Sequence, residues 1–297
     1  MGIVLGDNQY GKAEVRLVRV TAGEGDGPAG RKRRELADLN VSIALSGDLT
    51  DTHLTGDNSR VLPTDSQKNT VFAFARQYGV GEIEEFGLRL ARHFVDSQPS
   101  ITRARVAITQ YAWVRLGDHS FQRAGGETRT ATVTYDGSRA YVLSGLSDLV
   151  LLNATDSEFS GFFKDPYTTL PETRDRILAT AVNACWRHKA ATGDWAASYA
   201  AARQLLVAAF VDTYSLSLQQ TLYAMGSRVV EHREEIVEVR LSLPNRHHFL
   251  VDLSPFALDN PGEVFFAADR PYGLIEGSVL REGEPSAEAA WAAAWNF

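Results

Sequence analysis

Cysteine is almost missing from this chain: Cys185 stands alone among 297 residues. No internal disulfide can close around it, and no thiolate-rich metal site can be assembled. Its surroundings, AVNACWRH, offer no nucleophilic setting, so a buried structural thiol is expected. Long apolar runs are missing as well. Nowhere do about 18 apolar residues follow one another, and no basic leader precedes an apolar stretch. A soluble, cytoplasmic protein without a membrane partner is expected, and the terminal AAWAAAWNF does not carry the peroxisomal Ser-Lys-Leu address. Positive charge is in deficit, since 30 Lys and Arg against 37 Asp and Glu leave a formal charge of -7. Affinity for a phosphate backbone rests on clustered Lys and Arg, which argues against nucleic acid as a partner. The one basic run, RKRRE at 31–35, follows the Gly-rich TAGEGDGPAG and reads as a solvated, mobile hairpin loop.

The familiar chemical signatures are absent too. No GxGxxG follows a strand, the loop at 23–30 lacks the Gly-Lys-Ser/Thr of a P-loop, and neither HExxH nor a GxSxG elbow occurs. His53, His93, His119, His188 and His232 are scattered without ligand spacing, so surface or structural roles are expected for them. Dinucleotide, nucleoside-triphosphate and zinc chemistries lose support.

What is present is a pattern that occurs twice. In the first half, strands are expected near 13–21 and 39–47, then a helix opened by TDSQ at 64–67, with Thr64 as N-cap and Gln67 completing a capping box. Ile83, Phe86, Leu90 and Phe94 share one face of a second helix. In ITRARVAITQYAWVRL, the residues Ala104, Val106, Ile108, Ala112 and Val114 fall on one strand face, and a strand near 129–136 is placed to pair with it. In the second half, strands near 139–151 precede a helix begun around Pro171 and a long helix from about 217 to 231. Ser217 and Gln220 form a capping box there, and Leu218, Leu222, Met225 and Val229 make an apolar stripe. A half-buried strand follows at 236–243, where Val237, Val239, Leu241 and Leu243 alternate with polar residues. Pro244 marks an edge, a bulge or a strand end. Beyond it His247 and Phe249 share one face and His248 lies on the other, so the paired histidines are not expected to hold one metal. Strand, strand, helices, strand, strand in each half fits an α+β class with antiparallel sheets and helices on one face, in two units at 1–137 and 138–297. Open strand edges would invite aggregation, which closure into a barrel with further copies removes.

Six segments carry a more specific signal: YGK at 10–12, TDSQKNT at 64–70, SEFSGFFKDPYTTLPETRDRIL at 157–178, SLQQTLYAM at 217–225, SLPNRHHF at 242–249 and DRPYGLIEGSV at 269–279. In this order, over nearly the whole chain, they resemble urate oxidase (uricase), a cofactor-free enzyme of purine catabolism. The resemblance implies tandem T-fold (tunnelling-fold) units assembled as a homotetramer around a β-barrel tunnel, with active sites at subunit interfaces. It implies oxidation of urate by molecular oxygen and water to 5-hydroxyisourate and hydrogen peroxide.

It also implies roles at individual positions. Arg176 would bind urate through paired guanidinium hydrogen bonds and Gln219 would hold the opposite edge of the ring, chemistry suited to a planar fork and to an amide that both donates and accepts. Phe159 would stack on the ring, the Leu218 backbone N–H would add a bond, and Ile275 would wall the pocket. Thr64 and Asp65, the latter through its backbone N–H, would reach the substrate from a neighbouring subunit at a helix N-terminus that favours an anion. Lys12, Thr64 and His247 would form a proton relay, and Asn245 would help hold oxygen or water above the ring. Taken one at a time, these residues have plainer readings: Arg176 as a helix-surface ion pair, Phe159 as core, Thr64 as a cap, Lys12 as an exposed strand-end lysine. Two other functions compete, a different T-fold enzyme acting on a purine or pterin, and a silent purine-binding scaffold.

Overall fold

The computed structural model describes residues 2–26, 32–268, 270–285 and 287–291. Residues 27–31, the end of the Gly-rich stretch and the first residue of the basic run, and the end of the Ala/Trp-rich tail lie outside the described residues; the rest of the basic run, at 32–35, is strand paired with 21–26 rather than loop. The chain forms two compact units. One comprises Met1–Gly145, Arg187–Ala196 and Pro285–Phe297, the other Leu146–Trp186 and Ala197–Glu284.

In the first unit, β1 (Tyr10–Asp26) and β2 (Lys32–Gly47) are followed by α1 (Thr50–Leu54), α2 (Thr64–Gln77) and α3 (Ile83–Asp96). Then come β3 (Ile101–Gln110), β4 (Trp113–Arg115), β5 (Phe121–Arg123), β6 (Thr128–Tyr135) and the start of β7 (Ala140–Asn153). The sheet order is β1-β2-β3-β6-β7, antiparallel where register pairs Val41 with Ile108 and Val106 with Val133. Period-2 alternation places Leu39, Val41, Ile43 and Leu45 on the covered face, against Ile83, Phe86, Leu90 and Phe94 of α3. Each side chain of this size contributes about 1.5–3 kcal/mol when taken fully out of water.

The second unit holds the rest of β7, then most of β8 (Leu178–His188) and of α4 (Trp195–Asp212), and all of α5 (Leu218–His232) and β9 (Ile236–Asn245). It continues with β10 (His248–Leu250), β11 (Phe265–Ala267) and β12 (Gly273–Leu280), and a short α6 (Glu288–Trp291) returns to the first unit. Its sheet runs β7-β8-β9-β12, and β12 pairs antiparallel with β9 through Ile275 and Leu243. Leu218, Leu222, Met225 and Val229 pack as expected on Val239, Leu241 and Leu243. Antiparallel sheets carrying helices establish the α+β class.

Several expectations need correction. No helix begins at Pro171: residues 171–177 are irregular and lead directly into β8, because this segment spends its backbone on a bridge between Phe159 and Thr173 instead. The helix missed is α4, whose sequence AASYAAARQLLVAAF is apolar or small nearly all round, so it shows no stripe. The strand from Ile101 stops at Gln110, and β4 pairs with β5 in a separate ribbon. Ala112 and Val114 are therefore exposed rather than aligned with Ile108. Thr64 is not a cap. Pro63 occupies that position with an extended backbone, and Gln67 N–H donates to the Pro63 carbonyl at 3.2 Å. Cys185 is only partly buried, because it shares the less covered face of β8 with Asn183.

Two of the helices that cover the sheets, α3 and α5, approach closely at a glycine. A Cβ at Gly87 of α3 would stand 2.9 Å from Val133 Cγ2 of β6, and one at Gly226 of α5 would stand 2.6 Å from Val279 Cγ2 of β12. Only a residue without a side chain lets helix and sheet meet at that separation. Gly226→Ala is expected to destabilise by about 1–2 kcal/mol, the overpacking strain outweighing the gain in helix propensity. Pairing it with Val279→Ala should cost less than the two single changes summed, as read from denaturant midpoints, because the two substitutions share one contact.

Candidate active site

The second unit gathers most of the expected site residues around an irregular segment, residues 154–177. Ser157 is fully buried and bridges to Ser215, also fully buried. Glu158 N–H donates to the Ser215 carbonyl at 2.8 Å, and Ser215 N–H to the Asp156 carbonyl at 2.9 Å. This short parallel pairing fixes the chain just before Phe159 against the residues that open α5.

Arg176 returns to the same place. Its N–H donates to the Ser157 carbonyl at 2.9 Å, and its Nε to Ser157 Oγ at 3.2 Å. The guanidinium carbon lies 5.3 Å from the centre of the Phe159 ring, a cation–aromatic contact. The neighbouring acids are engaged elsewhere: Glu172 pairs with Lys164 at 2.9 Å and Asp175 accepts from Thr155 Oγ1 at 2.9 Å. Among the described residues no carboxylate pairs with Arg176, so the ion pair that its local sequence would suggest does not form. Burial lowers the pKa of the guanidinium from its ordinary value, and the group stays charged. A half-buried cation with no acid partner, in front of an aromatic face, is suited to a planar anion.

Gln219 stands on the first turn of α5. Ser217 is the N-cap, its hydroxyl accepting from Gln220 N–H at 3.1 Å. Gln220 reaches back to the N–H of Leu216 rather than to that of the cap. Thr221 N–H is the first to find a main-chain acceptor in the helix, the Ser217 carbonyl. The N–H groups of Leu218 and Gln219 are thus left open at the positive end of the helix. Leu218 itself is buried, and the Gln219 side chain is exposed.

Pro244 lies one residue before the end of β9, so it marks a strand end. The register of β9 with β12 sets Asn245 opposite Gly273 and Leu243 opposite Ile275. Ile275 packs partly against the core. The His247 ring stacks on Phe249 with centroids 5.8 Å apart, in keeping with the shared face. Its imidazole pKa is pushed down, first by burial, then by the positive charge of Arg176, then by His248. A lowered pKa favours the neutral imidazole, the form that can accept a proton. His248 turns aside to the Arg246 carbonyl.

The remaining three candidates belong to the first unit. Between Lys12 and Val15 the ladder of β1 with β2 shifts register, and Glu14 takes φ 54° while its N–H donates to Ser42 Oγ. Such a bulge re-aims side chains at a strand start. The ammonium of Lys12 acts electrostatically on Asp65, whose carboxyl is lowered first by its bond to Lys68. That carboxylate also accepts from Asn69, so it is used within the helix. The N–H groups of Thr64, Asp65 and Ser66 precede the first internal bond of α2 and are open. The Thr64 hydroxyl is not spent on a cap.

Two groups of residues escaped the sequence reading. Phe162 stacks on Phe159 at 4.9 Å with planes 15° apart, and Ser157, Ser215 and Thr221 link the site's segments. The six glycine, serine and phenylalanine positions of SEFSGFF gave the only hint. Among the described residues, no three His, Cys, Asp or Glu side chains converge as a metal site, and no helix is long and apolar enough to cross a membrane.

The family model described as Uricase matches residues 8–134 and 142–276. The chain is 51% identical over 291 residues to the uricase of Arthrobacter globiformis, spanning 97% of this chain and 94% of that protein. It is 36% identical over 293 residues to the uricase of Aspergillus flavus, spanning 92% and 95%. Among solved structures, the crystal structure of uricase from Arthrobacter globiformis superposes with a TM-score of 0.93 at 50% identity, covering 99% of this chain and 100% of that one. The uricase from Bacillus fastidious gives 0.78 at 27% identity, covering 99% and 98%.

Because Arg176 is one of the charges that hold the His247 imidazole low, Arg176→Gln is expected to raise the His247 pKa toward the ordinary histidine range. Histidine titration followed by NMR reads this directly; an unmoved or lowered value would show that the two groups are not electrostatically coupled.

Proposed function

The chain belongs to the uricase family and is an oxidoreductase acting on urate, and from that premise we propose that it transfers electrons from urate directly to molecular oxygen. Urate, oxygen and water give 5-hydroxyisourate and hydrogen peroxide, with no metal or organic cofactor. One observation carries the reading of the site: a half-buried Arg176 with no acid partner among the described residues, set against Phe159 and lowering the pKa of the nearby His247.

Arg176 binds the anionic edge of urate with its guanidinium fork, Gln219 holds the opposite edge, and Phe159 stacks on the ring. The Leu218 N–H adds a donor at the helix end, and Ile275 walls the pocket. Positive charge and open N–H groups in a site that excludes water stabilise a more deprotonated, electron-rich urate. Lys12 lowers the proton affinity of Thr64, and His247 passes the proton onward. Asn245 holds oxygen or water above the ring. Thr64 and the Asp65 N–H come from a neighbouring copy, so the working form is a homotetramer with sites at its interfaces and its sheets joined into a barrel tunnel. In support, Lys12, Thr64 and Asp65 belong to one compact unit, and the ring-binding residues to the other. The same reading takes 1–137 and 138–297 as tandem T-fold units, supported by the matching glycine contacts of α3 and α5.

Metal-stripped protein mixed with urate is expected to consume urate and oxygen together and to release peroxide. Oxygen uptake that vanished with the metal and returned on its addition would overturn the cofactor-free reading. Lys12→Ala is expected to lower kcat about a hundredfold while moving KM only a few-fold, as for loss of a proton-transfer group; full turnover would remove Lys12 from the relay. Light scattering is expected to give about four times the 32.6 kDa chain mass, and a monomer with full activity would rule out shared sites.

A further inference from the structure

Ser157 holds Arg176 twice, through its carbonyl and through its hydroxyl. The second bond matters chemically because it takes Nε. A guanidinium has two usable edges for a planar anion, one made by Nε with a terminal nitrogen and one made by both terminal nitrogens. With Nε engaged by a fully buried hydroxyl, the edge left to a ligand is the pair of terminal nitrogens. The hydroxyl is itself anchored by surroundings that do not move easily. Ser157 bridges to Ser215, Thr221 Oγ1 donates to Ser215 Oγ at 2.8 Å, and Ser215 Oγ donates to the Ser217 carbonyl at 3.1 Å. Ser157, Ser215 and Thr221 are all fully buried. Buried hydroxyls persist where their bonds are made, and here the bonds join the segment carrying Arg176 to the cap of the helix that carries Gln219.

We propose that Ser157 is the positioning residue of the substrate clamp: by occupying Nε it turns the terminal nitrogens of Arg176 toward the bound ring, and through Ser215 and Thr221 it keeps that fork in register with Gln219. The proposal rests on the reading of Arg176 as the group that binds urate. Ser157 does not touch the ring; it sets affinity by aiming a group that does.

A double-mutant cycle with urate tests it, with KM, kcat and Tm measured for Ser157→Ala, Arg176→Ala and the pair. Ser157→Ala is expected to raise KM about tenfold, as for the loss of a hydrogen bond to a charged group, with kcat within about twofold. In the Arg176→Ala background the same change should move KM by less than about twofold, since the fork it aims is gone. A fall in Tm alone, with KM unchanged while Arg176→Ala raises it, would make Ser157 merely structural and overturn the proposal. An equal factor in both backgrounds would also overturn it, because Ser157 would then act by another route. An Arg176→Ala enzyme with parental KM would bring down the proposal together with the assignment of Arg176. Ser157→Cys keeps the volume and weakens the acceptor, so its KM should fall between parent and Ser157→Ala; a parental value would show that volume, not the hydroxyl, is what counts.

Discussion

A guanidinium half sunk into protein with no acid beside it is costly, and the second unit is organised around that cost. Several other arginines show the usual solution. Arg129 lies between Glu82 and Glu84, Arg228 pairs with Asp212, Arg233 with Glu235 and Arg240 with Glu238. Arg176 has a serine hydroxyl and an aromatic face instead. A charge removed from water and left without its counter-charge favours whatever anion can take that place. A urate anion bound there, as proposed, would supply both the charge and a flat ring for Phe159 to cover.

The same unbalanced charge reaches His247. Burial and the positive Arg176 both disfavour the imidazolium, so in the proposed reading one cation serves the ring and a proton acceptor together. The first turn of α5, where the proposed reading sets the opposite edge of the ring, extends this logic. Open N–H groups and the helix dipole add partial positive charge with no side chain to titrate. Binding and proton handling in this site therefore draw on one electrostatic source.

Scaffold and site meet at a few residues where close packing leaves no choice. Gly226 lets α5 settle on Val279, and the opposite end of that helix begins at the Ser217 cap. The cap is tied through Ser215 to Ser157, and Ser157 to Arg176. Helix position on the sheet and clamp geometry are in this way parts of one connected arrangement.

The amino-acid sequence by itself determined what neighbours a few residues apart can decide. Alternation at Val237 to Leu243 made a strand, the stripe from Leu218 to Val229 made a helix, and Ser217 with Gln220 marked its start, because each depends on local backbone geometry. The order of motifs over nearly the whole chain pointed to the family. Local rules failed where distant segments compete for the same backbone. TDSQ looked like a capping box, but Pro63 accepts the first helical bond. The stretch at Pro171 looked like a helix, but Thr173 pairs with Phe159. In α4 the apolar residues surround the helix and leave no period to read. Only the tertiary structure decided that Arg176 finds a hydroxyl 19 residues away and, among the described residues, no acid, that Thr64 keeps its hydroxyl uncommitted to a cap, and that the His247 imidazole pKa is pushed down. These properties come from burial and from contacts between segments far apart in the chain, quantities that no local periodicity carries.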